Sequence, residues 1–234
     1  ISHEHPDHFN PKSLLQIPNH YRKGIKVLFQ NTNDHKVVNW LINNDFNVDE
    51  CYSAINYSLG EKTNINIFKH GIYDSWILIN DNGKYLINLN DCNISDNELL
   101  TIKNKLPNSL DILISQFSYA SWPGNPDDTL AHKLEAKRIL RRLSSQINIL
   151  KPKFVIPAAS FVWFSNKENF WMNKEKVNIR QADQIINKSD SISIVLKPGD
   201  RWTLYDKWNN YENFNHYDAL DNFDDQRVHC PKLI

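Results

Sequence analysis

Four residues near the start of this 234-residue chain have the types and spacing of a metal site. They are His3, His5, Asp7 and His8, in the run Ile1-Ser2-His3-Glu4-His5-Pro6-Asp7-His8-Phe9. Residues two apart in extended backbone project to the same side, so His3 and His5 can converge on one ion. Asn10 followed by Pro11 is a helix start, a capping side chain with Pro at the first helical position. The chain must therefore turn directly after His8, and that turn swings Asp7 and His8 toward a second position beside the first. Imidazole and carboxylate donors together suit zinc, iron or manganese rather than calcium. A chance cluster on a frayed end, or a remnant of a tag, would carry poly-His or linker composition, and neither is present.

The elements that must hold this motif alternate between strand and helix. Ile25 to Phe29 reads as a buried strand and Val37 to Ile42 as a helix. Ile65 to Phe68, Trp76 to Ile79 and Tyr85 to Leu89 read as strands. Asn80-Asp81-Asn82-Gly83 is a hairpin signal between the last two. Asp111 to Phe117 is a further strand. A long helix follows from about Thr129 to Leu150, with Ile139, Leu143, Ile147 and Leu150 at helical spacing. Its basic residues Lys137, Arg138, Arg141 and Arg142 read as a solvated face. Phe154 to Ile156, Ile179 to Ile186 and Ile192 to Leu196 read as strand, helix and final strand. From Trp202 onward the sequence is aromatic, Asn- and Asp-rich and aperiodic. This order predicts an α/β protein with a mixed sheet, residues 1–205 forming the domain and 206–234 a C-terminal extension.

Bulk properties narrow the classes. Lys+Arg and Asp+Glu both number 27, so no net positive field draws nucleic acid to the whole surface. Hydrophobic residues at 41% fit a globular chain rather than a disordered one. Cys51, Cys92 and Cys230 form no Cys-x-x-Cys pair, so neither a zinc knuckle nor a disulfide framework is indicated, and a reducing cytoplasm is the expected compartment. No apolar run approaches the roughly 20 residues that span a bilayer. The chain opens inside a motif, so the expectation is that the natural protein continues upstream of Ile1; whether it continues past Ile234 is open.

With these residues in view, the chain resembles the metallo-β-lactamase superfamily, whose signature is the pattern His-x-His-x-Asp-His. Within it, the resemblance is to the branch of the CMP-N-acetylneuraminate hydroxylase catalytic domain, with the ascorbate-6-phosphate lactonases more distant. Residues 74–79 and 84–92, 111–117 with 120–123, 151–161, and 197–200 carry that resemblance. It implies an αββα sandwich, here lacking the strands that normally precede the motif, so that an apolar sheet face or an unpaired edge should lie open near residues 1–9. It also implies further ligands: Asp91, at the end of an apolar strand, as the carboxylate bridging two ions, and His70 as another histidine of the first site. Where many superfamily hydrolases supply a last histidine, this chain has Pro157-Ala158-Ala159-Ser160, and no histidine occurs from Lys133 to Asn215. The second ion is then bound by fewer protein groups or absent, unless Asn166, Glu168 or Asn169 substitutes. His20, His35, His132, His216 and His229 read as surface or cap residues. The aromatic group Phe161, Trp163, Phe164, Phe170 and Trp171 reads as core.

Three functions follow. The first is a metal-dependent hydrolase, with one or two divalent ions activating water and Asp7 or Asp91 handling the proton. The second is an iron-dependent monooxygenase of the hydroxylase type. The resembling enzyme also carries a Rieske cluster, but no Cys-x-His and Cys-x-x-His pair occurs here, so electrons would come from a missing upstream region or from an electron-transfer partner. The third is a degenerate, non-catalytic binding module. By analogy with the family, the substrate is a small anionic molecule such as a sugar phosphate or nucleotide sugar.

Overall fold

A computed structural model of the chain describes residues 1–107 and 109–221. Asn108, and the segment 222–234 with His229 and Cys230, lie outside the described residues. Backbone contacts group the chain into two units, one ending at Ile94 and one beginning at Ser95.

In the first unit, Asn10 caps α1 (Pro11–Leu14) by accepting from the Ser13 amide at 3.0 Å, as its sequence requires. A second short helix, α2 (Asn19–Arg22), follows. β1 (Lys26–Gln30), α3 (Lys36–Asn43) and β2 (Asn47–Cys51) form a parallel unit, with Val27 opposite Val48. Val27, Phe29, Val37, Val38, Leu41 and Phe46 make its core, and the half-buried Ile1 and Phe9 pack against it. Among the described residues no third strand joins β1 and β2, so this ribbon has an unpaired edge, whereas the apolar side chains of residues 1 and 9 are sheltered rather than open.

The strands β3 (Asn56–Ser58), β4 (Thr63–His70), β5 (Asp74–Asp81) and β6 (Lys84–Asn88) then form an antiparallel meander. Asn82 (φ 49°) and Gly83 (φ 80°) are the two residues of the β5–β6 turn. Both central positions need positive φ in the type I′ turn that suits the twist of a tight hairpin, and Asn-Gly supplies them. β2 and β3 were not read from the sequence: Asn47-Val48-Asp49-Glu50-Cys51 alternates too weakly, and Asn56-Tyr57-Ser58 is too short.

The second unit opens with α4 (Asp96–Lys105), also missed by apolar periodicity but marked by a capping box between Ser95 and Glu98. β7 (Ile112–Gln116), α5 (Thr129–Leu150), β8 (Phe154–Ala158), α6 (Ile179–Ile186) and β9 (Ile192–Ser193) follow, and the three strands pair in parallel. The bounds of α5 and α6 coincide with the sequence reading, because each has an uninterrupted apolar stripe. Four readings are corrected. His132 is not at the surface: it is buried in α5, its ring stacked on Trp171 and its Nε2 2.8 Å from the Asn125 carbonyl oxygen. Of the aromatic group, Phe164 is buried while Phe161 is exposed, though they are neighbouring residues of one loop. The aperiodic tail contains a helix, α7 (Tyr211–Asp221), anchored by the buried Asn213 and Tyr217 rather than by an apolar stripe. Arg142 also departs from the solvated-face reading: it is half-buried and its guanidinium donates to the Gln116 side-chain oxygen.

Buried hydroxyls tie this unit together. Ser160 Oγ accepts from the amides of Phe117 and Ser118, both at 2.8 Å, and Ser118 Oγ accepts from the Val177 amide at 2.9 Å. Replacing Ser160 with Ala strands two buried N–H donors, so stability in urea denaturation should fall by about 2–4 kcal/mol. The buried hydroxyls of Tyr119 and Tyr217 donate to the carbonyls of Met172 and Leu196, both at 2.7 Å, and burial pushes both phenols up to about 12. The unfolded chain releases these protons near pH 10 and the folded chain near 12. Stability should therefore hold below pH 10 and fall as pH rises from 10 to 12, in step with phenolate absorbance. A flat stability across that window would refute the assignment.

Candidate metal centre

The first nine residues do not run straight. The carbonyl of His5 accepts from the amides of His8 (2.9 Å) and Phe9 (2.7 Å), closing a turn around Pro6. The turn brings the His8 ring back beside His3, with centroids 4.0 Å apart, while the His5 ring meets His3 edge-on at 4.6 Å. His3 is completely buried, His5 is exposed, and Asp7 keeps 67% of its side chain in solvent.

Two carboxylates converge on these imidazoles from the ends of strands. Asp91 follows β6. Asn90, in left-handed backbone at φ 51°, turns the chain there and bonds to Ser75 O through its side-chain amide at 3.0 Å. Asp74 opens β5. His3 Nε2 lies 3.8 Å from Asp91 Oδ2 and 3.9 Å from Asp74 Oδ1. His8 Nε2 lies 3.6 Å from Asp91 Oδ2 and 3.5 Å from Asp7 Oδ2. All these separations exceed a hydrogen bond. They approach the about 3.4 Å that separates two donors on one tetrahedral ion with bonds near 2.1 Å.

Two overlapping donor groups result, His3 with His5 and Asp74, and His3 with His8 and Asp91. Burial lowers the pKa of His3, reinforced by the charge of His8. The contact with Asp91 raises that of His8. Burial works to raise Asp91, but its contact with His8 and the charges of His8 and His3 leave it below the ordinary carboxylate value.

The fit to a metal ion rests on atoms the protein leaves unpaired. His3 Nε2 and Asp91 Oδ1 are both buried with no hydrogen-bond partner among the described residues. Such atoms are rare in native interiors, and a bound cation is one of the few groups that satisfies an imidazole lone pair and a carboxylate together. The residues present therefore fit a divalent ion.

Of the residues singled out by sequence, His3, His5, His8 and Asp91 enter these groups. Asp7 stands at the margin, near His8 but open to solvent. His70 enters neither group; it ends β4, in register with Asp74 across the hairpin. Asp74 was not named as a ligand. Its signal was the same as that of Asp91, a carboxylate at the end of an apolar strand, here Ser75-Trp76-Ile77-Leu78-Ile79.

No protein-family model and no curated protein sequence matches the chain. Solved structures do. A metallo hydrolase, Igni18, from the archaeon Ignicoccus hospitalis superposes with a TM-score of 0.55 at 15% identity, over 86% of this chain and 76% of its own. The metallo-β-lactamase fold protein YhfI from Bacillus subtilis gives 0.51 at 16% identity, over 86% and 74%. CmlA, a diiron β-hydroxylase from Streptomyces venezuelae, gives 0.55 at 15% identity over 82% of this chain. This chain has the metallo-β-lactamase fold. It spans 42% of the length of the CmlA structure. The mixed α/β order expected from sequence is that of this fold.

Because His3 belongs to both donor groups, its loss should do most damage. His3→Ala should lower zinc affinity by more than the about 10–100-fold that removal of an outer partner costs, and by more than His8→Ala. His70→Ala should leave affinity within about threefold, since its side chain is in neither group. Competition titration with a zinc chelator measures all three; a His70→Ala loss as large as that of His3→Ala would overturn this ligand set.

Proposed function

We propose that the chain is the metal-dependent catalytic unit of a hydrolase acting on a small anionic molecule, with a sugar phosphate or nucleotide sugar as the substrate class. The observation that carries this reading is the buried, unpaired Nε2 of His3 facing Asp74 and Asp91. A zinc or other divalent ion held there supplies Lewis acidity, lowering the pKa of water and polarising a carbonyl or phosphoryl oxygen. The chain's own residues do the rest. His3, His5, His8, Asp74 and Asp91 supply donors. Asp7, exposed and 3.5 Å from His8 Nε2, is the carboxylate placed to take a proton and release it to solvent.

A cavity of about 190 Å³ flanks the ligand-bearing segments, with Glu4 between His3 and His5, and Tyr73 next to Asp74, in its wall. Phe29, Val37 and Ile72 supply its apolar surface, and Glu4, Asp34 and Lys69 are the charged residues of its wall. Glu4 is neutralised by Lys36 at 3.4 Å. This lining supports a compact substrate; the anionic class rests on analogy with the family.

An iron-dependent hydroxylase is the second reading. The mix of three imidazoles with three carboxylates suits iron as well as zinc, and CmlA, on the same fold, is a diiron β-hydroxylase. Under that reading a further part of the natural chain or a partner supplies electrons.

The test begins with metal analysis of protein from unsupplemented medium, where zinc supports the hydrolase and iron the hydroxylase. Hydrolysis of p-nitrophenyl phosphate, bis-p-nitrophenyl phosphate and simple lactones should stop on chelation and return with zinc. Asp7→Asn should cut kcat by about 10²–10⁴-fold while leaving zinc bound. Hydrolysis undiminished by chelator would rule the proposal out.

A further inference from the structure

One hydroxyl touches both histidines at the centre. Ser2 Oγ lies 3.2 Å from His3 Nδ1 and 2.9 Å from His8 Nδ1. It is held in place through its own carbonyl, which accepts from the buried side chains of Gln30 (3.1 Å) and Ser75 (2.8 Å). Gln30 also donates to the carbonyl of Tyr73, and Ser75 O accepts from Asn90, so the same network reaches both strand ends that carry Asp74 and Asp91.

A neutral imidazole carries its proton on one nitrogen only, and a serine oxygen has one hydrogen and two lone pairs. If Ser2 donated to His3, His3 would keep its proton on Nε2. That N–H would be buried with its nearest carboxylates at 3.8 and 3.9 Å, beyond hydrogen-bond reach, and no lone pair would face the site. The arrangement that turns the His3 Nε2 lone pair toward Asp74 and Asp91, and that of His8 toward Asp91 and Asp7, has Ser2 accepting from both Nδ1–H groups.

We infer that Ser2 is a positioning residue whose single oxygen accepts from both Nδ1–H groups, fixing His3 and His8 together in the tautomer that binds metal through Nε2. This rests on the metal-centre reading. An outer partner of this kind orients the ring and sets the basicity of the ligating nitrogen. Here one atom does so for both donor groups at once, because His3 belongs to both. Ser2 contacts no ion or substrate and acts only through the two rings.

Nitrogen-15 NMR of histidine side chains in the full chain, titrated with zinc, tests this without relying on turnover. In the wild type the His3 and His8 Nδ1–H protons should appear as slowly exchanging signals with metal bound at Nε2. Ser2→Ala should lose that protection and bind zinc about 10–100-fold more weakly, while Ser2→Thr, which keeps the hydroxyl, should recover both. A zinc-bound wild type in which either ring holds metal through Nδ1 would overturn the inference even if Ser2→Ala failed to fold. So would a folded Ser2→Ala with unchanged affinity and protected Nδ1–H signals. Wild-type protein that binds no zinc would overturn the metal centre itself, which separates the two failures.

Discussion

A buried imidazole nitrogen with nothing to bond is a cost that a fold carries only where another group meets it. His3 Nε2 is such an atom, and much of the first unit is arranged around it. The turn at Pro6 returns His8 to its side. β1 contributes Gln30, which holds the backbone of Ser2, and the start of β5 and the end of β6 bring two carboxylates to the same open end of their hairpin. Asn90 takes left-handed backbone, which asparagine tolerates better than most residues, so that Asp91 points back at the histidines. Each of these local features is unremarkable alone. Together they desolvate one nitrogen and surround it with charge of the sign a cation prefers.

The arrangement is asymmetric. His3 is enclosed, while His5 and Asp7 meet solvent, and a single nitrogen lone pair serves one ion. The two donor groups overlap at that nitrogen, so a second ion would depend on His8, Asp7 and Asp91 with His3 already engaged. Asp7 keeps 67% of its side chain in solvent and Asp91 25%, so the two carboxylates beside His8 stand in different surroundings.

The second unit solves a different problem with the same means. Its parallel strands end in loops whose amides have no strand to pair with, and side-chain oxygens take that place: Ser160 for Phe117 and Ser118, Ser118 for Val177, Asn210 for Val195. Gln146 on α5 accepts from Ser115 on β7 at 2.6 Å, beside the Arg142–Gln116 bond that joins the same two elements. Such bonds specify one register between helix and strand more sharply than apolar packing alone, since a slip leaves both groups unpaired.

Much of this was legible in the sequence. The His-x-His-x-Asp-His spacing with Asn10-Pro11 behind it determined a turn and a set of converging donors, because both depend on residues within one or two turns of chain. The limits of α5 and α6 and the Asn82-Gly83 hairpin were equally local, set by apolar period and by the φ angles those residues permit. The helix α7 was hidden because polar anchors, not a stripe, hold it, and His132 was misplaced because burial is decided by what packs above a residue. Which carboxylates face the histidines was decided only by tertiary structure. Asp74 lies about seventy residues from His3, and nothing local distinguishes it from any other aspartate at a strand start. The register of β5 with β6 brings it beside Asp91, while His70, opposite Asp74 across β4, enters neither donor group.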